Sequence, residues 1–275
     1  MPTLAEISKQ TVDIVDAGRY TSPVGGTVEL AEAIRAAREG TRLYTPEALE
    51  EMSRTREAPA STGRARVEVT AESTAQACRR LAEREGESPA ALNFASAKNP
   101  GGGFLGNAKA QEEDLARASA LYTCLLTQPA FYEVNRRETS LLYTDHIIYS
   151  PNVPFFRDDS LALLGSPFQA SLITAPAPNA GEVLKRDPGG RPAIRATLER
   201  RARYVLRVAA DRERRCLVLG AWGCGVFRND PAEVADVFAG ALADPAFGGA
   251  FDRVVFAIYD RTSGQQTLAA FRARF

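Results

Sequence analysis

Several things are scarce in this chain of 275 residues, and each scarcity excludes something. There is a single histidine, His146, so a multi-histidine metal centre and a histidine-rich hydrolase have too few side chains to be built. The four cysteines, Cys78, Cys124, Cys216 and Cys224, show no C-x-x-C spacing and outline no disulfide framework, which suits a reducing cytoplasm. Apolar runs are short. Cys216–Gly220 and Val254–Tyr259 fall far below the roughly 20 residues that span a bilayer, and no basic start followed by an apolar stretch marks a secretory signal. Net charge is absent too. Lys+Arg and Asp+Glu number 34 each, so no general electrostatic coat for DNA is expected. Only Lys9, Lys98, Lys109 and Lys185 are lysines; the other basic residues are arginines, which suit phosphate contacts. No repeat or low-complexity tract occurs.

What is present is an ordinary globular mixture, 45% hydrophobic and 25% charged, which excludes disorder and collagen-like classes. The first 60 residues read as mostly helical. Leu4, Ile7, Ile14 and Val15 recur near helical spacing with Gly18 as a C-cap, and Val28–Glu39 predicts a second helix. Ala58–Gly63 is a small-residue and proline break. Strands and helices then alternate. Strands are expected over Arg64–Thr70, Ala91–Ala95, Asp145–Tyr149, Ser171–Thr174, Arg215–Gly220 and Arg253–Tyr259. Helices are expected over Ser73–Arg84, Gln111–Leu126, Pro192–Ala210, Pro231–Leu242 and Gly264–Arg274. This alternation predicts α/β layers around one sheet.

Three segments could carry chemistry. Asn99-Pro100-Gly101-Gly102-Gly103-Phe104 follows an expected strand. Three glycines let backbone N–H groups approach a ligand, though the same run also suits a plain surface turn. It is not a Walker loop, because Asn107-Ala108 stands where Lys-Ser/Thr is required. Gln111-Glu112-Glu113 opens the next helix. Acids favour a helix start for dipole reasons alone, but the glycine loop delivers the chain straight into this pair, where a carboxyl could act as acid or base. On a helix the two side chains should diverge by about 100°, which predicts one working carboxyl rather than an opposed pair.

The third segment, Gly220 to Asn229, is glycine-rich and joins an apolar strand to a helix that opens at Asp230-Pro231. Such a loop can cradle a diphosphate. Trp222 and Phe227 fit either the core or, for Phe227, a stack on a sugar or base. Cys224 reads as a packed cysteine and His146 as a hydrogen-bonded structural residue. Tyr149–Arg157 and Ala175–Asn179 follow strands and could line the same cleft, or be ordinary connections.

Taken together, Gly101-Gly102-Gly103, seven residues, then Gln111-Glu112-Glu113 resembles the G-G-G-x(6–8)-Q-E-E signature of poly(ADP-ribose) glycohydrolases of the bacterial type. The Gly220–Phe227 loop resembles the diphosphate loop of macrodomains. The resemblance runs from about Arg64 to the C-terminus. It implies a macrodomain-like α/β three-layer sandwich with a central mixed sheet over 63–275, and a helical accessory segment over 1–62. It implies an enzyme that cuts ribose–ribose O-glycosidic bonds of poly(ADP-ribose), mainly from chain ends, without metal or cofactor. By position, Glu113 would be the acid and Glu112 would hold the ribose and the acid's geometry. Gln111 would support the loop. Asn99 and Gly101, Gly102 and Gly103 would take the terminal ribose. Gly223, Cys224, Gly225, Val226 and Phe227 would take the diphosphate, with Thr267 near the distal ribose. Implied partners are the polymer, ADP-ribose and ADP-ribosylated proteins, in a DNA damage response. A macrodomain that only binds ADP-ribose, a mono-ADP-ribosyl hydrolase and a nucleotide-binding regulatory module are the alternatives.

Overall fold

The structure is a computed structural model that describes residues 2–55 and 63–275. In chain order the elements are α1 (Leu4–Ala17), β1 (Arg19–Thr21), β2 (Thr27–Glu29), α2 (Ala31–Gly40), β3 (Arg42–Tyr44), α3 (Pro46–Thr55), β4 (Arg66–Thr70), α4 (Thr74–Glu85), β5 (Ala90–Phe94), α5 (Gln111–Ala118), α6 (Leu121–Leu125), α7 (Pro129–Arg137), β6 (Ile147–Arg157), β7 (Leu163–Ala175), α8 (Ala180–Arg186), α9 (Arg191–Asp211), β8 (Cys216–Leu219), α10 (Pro231–Leu242), β9 (Arg253–Ala257) and α11 (Gln266–Arg274). Seven strands form one sheet in the order β3-β6-β7-β5-β8-β9-β4. Strands β7, β5, β8, β9 and β4 pair in parallel, while β3-β6 and β6-β7 are antiparallel, so the sheet is mixed.

Side chains alternate across this sheet, and each face buries its own core. Leu92, Ile173, Leu217, Leu219 and Phe256 pack against α9, α10 and α11. Ala91, Ile148, Leu172, Val218 and Val255 pack against α2, α4, α5, α6 and α7. That is the expected three-layer sandwich.

Local signals set several boundaries where they were expected. Gly18 takes the left-handed C-cap conformation of α1, at φ 65°. Ser73 and Gln76 form a capping box at α4, and Asp230 caps α10.

Three readings need correction. The first 55 residues are not only helical. Val28 and Glu29, expected to open a helix, belong instead to β2 and pair with β1, and β3 joins the edge of the main sheet. The break at 58–63 lies outside the described residues, except for Gly63. The helix expected over 111–126 is split in two. Ser119 is extended, its hydroxyl donates to Leu115 O, and Ala120 N–H leaves the helix to donate to Pro154 O of β6 (3.1 Å). Finally, Tyr149–Arg157 is no strand-end loop. It continues β6 through a bulge between Ser150 and Val153, where Pro151 and the positive-φ Asn152 sit.

Candidate active site

Strand β5 lies at the middle of the sheet, with β7 on one side and β8 on the other, all three parallel. The loops leaving their C-terminal ends therefore open at one edge, where α/β proteins place ligands. The loop after β5 runs over 95–110 into α5, and the loop after β8 runs over 220–230 into α10.

Helix α5 is pinned to β5 by Gln111. Its Nε2 donates to Leu92 O (2.8 Å) and Thr74 Oγ1 (3.1 Å), and its Oε1 accepts from Phe94 N–H (2.8 Å). Gln111 thus holds the helix start to the strand rather than to the glycine loop. Glu112 follows and points inward, 2% exposed. Its Oε1 accepts from Asn93 Nδ2 (3.2 Å) and its Oε2 from Ser96 N–H (2.6 Å). Burial pushes its carboxyl up to about 8, against the lowering effect of these hydrogen bonds.

Glu113 is 9% exposed, and its Oε1 accepts from Gly103 N–H (2.9 Å). The two carboxylates do not diverge as simple helix geometry suggests: both converge on Gly102. A Cβ there would drive into Glu113 Oε1 and stand 3.2 Å from Glu112 Oε2. Gly102 also has φ 60°, a second reason for glycine. A Cβ on Gly103 would lie 2.6 Å from that of Ala108. The loop is a chain of tight turns, with Gly102 N–H donating to Asn99 O, Phe104 N–H to Gly101 O, and Gly106 N–H to Gly103 O. Asn99 is exposed beside them.

In the second loop, Trp222 is a core residue, fully buried, its Nε1 donating to Ala175 O (3.1 Å). Asn229 closes the turn by donating to Pro178 O (2.9 Å) and Gly223 O (3.1 Å). Gly223 has φ 71°, and its missing Cβ makes room for Asn229 and Ala177. Among the described residues the N–H groups of Gly223, Gly225, Val226 and Phe227 make no hydrogen bond. Val226 is 83% exposed, Gly225 is open, and Phe227 is half-buried with its ring 6.0 Å from that of Tyr143. Burial pushes the Cys224 thiol up to about 12, far from a nucleophilic thiolate at neutral pH.

Among the described residues the remaining expected residues make no side-chain hydrogen bond to either glutamate. His146 is half-buried, its Nδ1 within 2.9 Å of Thr144 Oγ1, a structural contact. Ala175–Pro178 is buried beneath the second loop, and Asn179 caps α8. Thr267 stands in the first turn of α11, its N–H donating to Asp260 Oδ2 (2.9 Å), and no hydrogen bond among the described residues links it to either loop. No group of three or more His, Cys, Asp or Glu among the described residues could hold a metal, and no helix among them is long and apolar enough to cross a membrane.

Sequence reasoning missed Asn93, Ser96 and Thr74, which hold Glu112 and Gln111. It also missed Arg117, which stands four residues after Glu113 on the same helix. Only that last spacing was readable in advance.

A family model described as microbial-type PARG, catalytic domain, matches residues 8–158. A crystal structure of poly(ADP-ribose) glycohydrolase from Thermomonospora curvata is 47% identical and covers 99% of each chain, with a TM-score of 0.94. The same enzyme bound to the inhibitor ADP-HPD superposes with a TM-score of 0.92, at 47% identity and 99% coverage of each chain. Poly(ADP-ribose) glycohydrolase from Deinococcus radiodurans in complex with ADP-ribose is 52% identical, covers 90% of this chain and 98% of its own, and has a TM-score of 0.82. No curated protein matches significantly. With the glycine loop, the glutamate pair and the sheet order in place, these matches settle the lineage: the chain belongs to the microbial-type poly(ADP-ribose) glycohydrolases.

Proposed function

We propose that this chain hydrolyses the ribose–ribose O-glycosidic bonds of poly(ADP-ribose), mainly from chain ends, and releases ADP-ribose. The observation that carries the reading is the meeting of Glu113 with the glycine loop. One carboxyl oxygen is fixed by Gly103 N–H, while the other takes no hydrogen bond among the described residues and is free to face an inter-sugar oxygen.

Glu112 cannot be a second partner across the bond. It is buried, and both its oxygens are engaged. Glycosidases that use two carboxyls place them about 5–9.5 Å apart on opposite sides of the bond, whereas here both stand on one side, against Gly102. The work therefore falls on Glu113. It donates its proton to the leaving ribose oxygen as the glycosidic bond breaks and an oxocarbenium-like sugar forms. Water then attacks the anomeric carbon and returns a proton to Glu113. The substrate's own diphosphate, held on the free N–H groups of Gly223, Gly225, Val226 and Phe227, offsets the positive charge. Cys224 contributes backbone and bulk to that loop. Burial pushes the Glu112 carboxyl up to about 8.

In this reading Asn99 and Gly101–Gly103 seat the terminal ribose, Phe227 packs on the ribose of the held diphosphate, and Thr267 lies toward the distal ribose. Residues 63–275 carry the chemistry, and 1–62 are accessory. The reaction serves a cytoplasmic response to DNA damage, acting on the polymer and on ADP-ribosylated proteins. Glu113→Ala and Glu113→Gln are expected to lower polymer turnover by about 10²–10⁴-fold, the usual worth of a general acid, with ADP-ribose affinity retained by calorimetry. Unchanged turnover removes Glu113 from the mechanism. Wild-type protein that consumes only mono-ADP-ribosylated protein, or binds ADP-ribose without turnover, replaces the polymer reading.

A further inference from the structure

The carbonyls that follow the glycine run are gripped from below by one buried cation. Arg117 stands on α5 one turn after Glu113, so both side chains leave the same helix face. Its side chain is fully buried. Nη2 faces three carbonyl oxygens of one loop, Phe104 (3.2 Å), Gly106 (3.3 Å) and Ala108 (2.5 Å). Nε donates to Ser8 Oγ (3.1 Å). Ser8 belongs to α1 and is itself wholly buried, with its hydroxyl 2.5 Å from the same Phe104 oxygen. One turn later Thr11 donates to Arg117 O (2.8 Å) and accepts from Arg157 Nε (3.2 Å). At the start of α1, Ala5 N–H donates to Asn107 Oδ1 (3.3 Å).

Taking a guanidinium out of water is expensive. A planar fork matched to several acceptors recovers part of that cost and fixes those acceptors in space. Here the fixed groups begin at the Phe104 carbonyl, which directly follows the residue whose N–H holds Glu113 Oε1. The same face of α5 thus supplies the acid and the clamp that sets the loop against it.

We propose that Arg117 is a positioning residue for the glycosidic reaction: backed by Ser8 and Thr11, it sets the glycine loop against Glu113 and makes α1 part of the catalytic support. The inference rests on the polymer-hydrolase reading.

The test uses the full chain with Arg117→Met, Arg117→Lys, Ser8→Ala and Asn107→Ala. Polymer kcat and KM are measured per folded molecule, with ADP-ribose affinity and thermal midpoint measured alongside. Misplacing a reacting group by about 1 Å costs on the order of 10²-fold. Arg117→Met is therefore expected to lower kcat by about that factor, with ADP-ribose affinity changed by less than tenfold. Arg117→Lys recovers little, since an ammonium cannot span the loop carbonyls and Ser8 together. Ser8→Ala, which leaves the guanidinium in place, is expected to lower kcat by about tenfold, and Asn107→Ala by less.

If Arg117→Met does not fold, the Ser8 and Asn107 variants decide. Normal kcat per folded molecule in Ser8→Ala and in every Arg117 variant that folds overturns the proposal, since mere structural support would change stability alone. Wild-type protein without polymer turnover instead brings down the reading on which the proposal rests.

Discussion

Two adjacent glutamates end in different chemical situations because one faces the sheet and the other faces the loop. Glu112 enters a pocket closed by Asn93 and Ser96, and burial there outweighs the hydrogen bonds that favour its charge. Glu113 has one oxygen held by Gly103 N–H. The buried group leaves a signature in stability. A carboxyl at about 8 in the folded chain, above its ordinary 4.5, binds more protons in the native state than in the unfolded chain between those values. Stability is therefore fullest at the acid end of that window and declines as pH rises through it. Glu112→Gln, neutral throughout, is expected to flatten this decline. Thermal midpoints of wild type and variant from pH 5 to 8 check it, and parallel curves would remove Glu112 as the source. The pair itself was readable in the sequence, as was the glycine run. That both would be buried, Glu112 the more completely, was not, because that depends on where β5 and the glycine loop lie against α5.

At the scale of the element, α5 does the assembling. Gln111 ties its first residue to β5, Glu112 plugs the strand end, Glu113 meets the loop, and Arg117 grips that loop from below. The helix stops at Ala118, where Ser119 and Ala120 are drawn to β6. Gln111→Ala leaves Phe94 N–H and Leu92 O without their partner. The expected cost is about 1–3 kcal/mol, read by denaturant unfolding, with a fall in polymer turnover as the helix start loosens. The sequence pattern runs on apolar through Leu121, Tyr122 and Leu125, so nothing local marked the interruption. The same holds for β6. Pro151 and Pro154 read as a connection, yet a bulge admits the first and the strand continues. Caps were legible by contrast, since Gly18, Ser73 and Asp230 satisfy backbone groups within their own few residues.

The whole molecule is a sheet buried on both faces, with two cores that share backbone but not side chains. Leu92→Ala removes packing on one face and Ile148→Ala on the other. Each is expected to cost about 2–5 kcal/mol, and the double variant should equal their sum within about 0.5 kcal/mol. A large coupling by chemical denaturation would mean that the cores are not independent. The N-terminal segment also belongs to this scale. It supplies an edge strand through β3 and a brace for the glycine loop through Ser8. Composition gave no hint of either, because a three-residue strand and a single buried serine have no periodicity.

The sequence by itself determined the alternation of strands and helices, the caps, the two glycine loops and the acid motif. These depend on residues close together in the chain, where backbone conformation and local hydrogen bonds dominate. Only the tertiary structure decided that the two glutamates would meet at Gly102, that Glu112 would be sealed by Asn93 and Ser96, and that Arg117 would reach α1. Those outcomes depend on which groups lose water together, and burial is a property of the assembled layers rather than of any one segment.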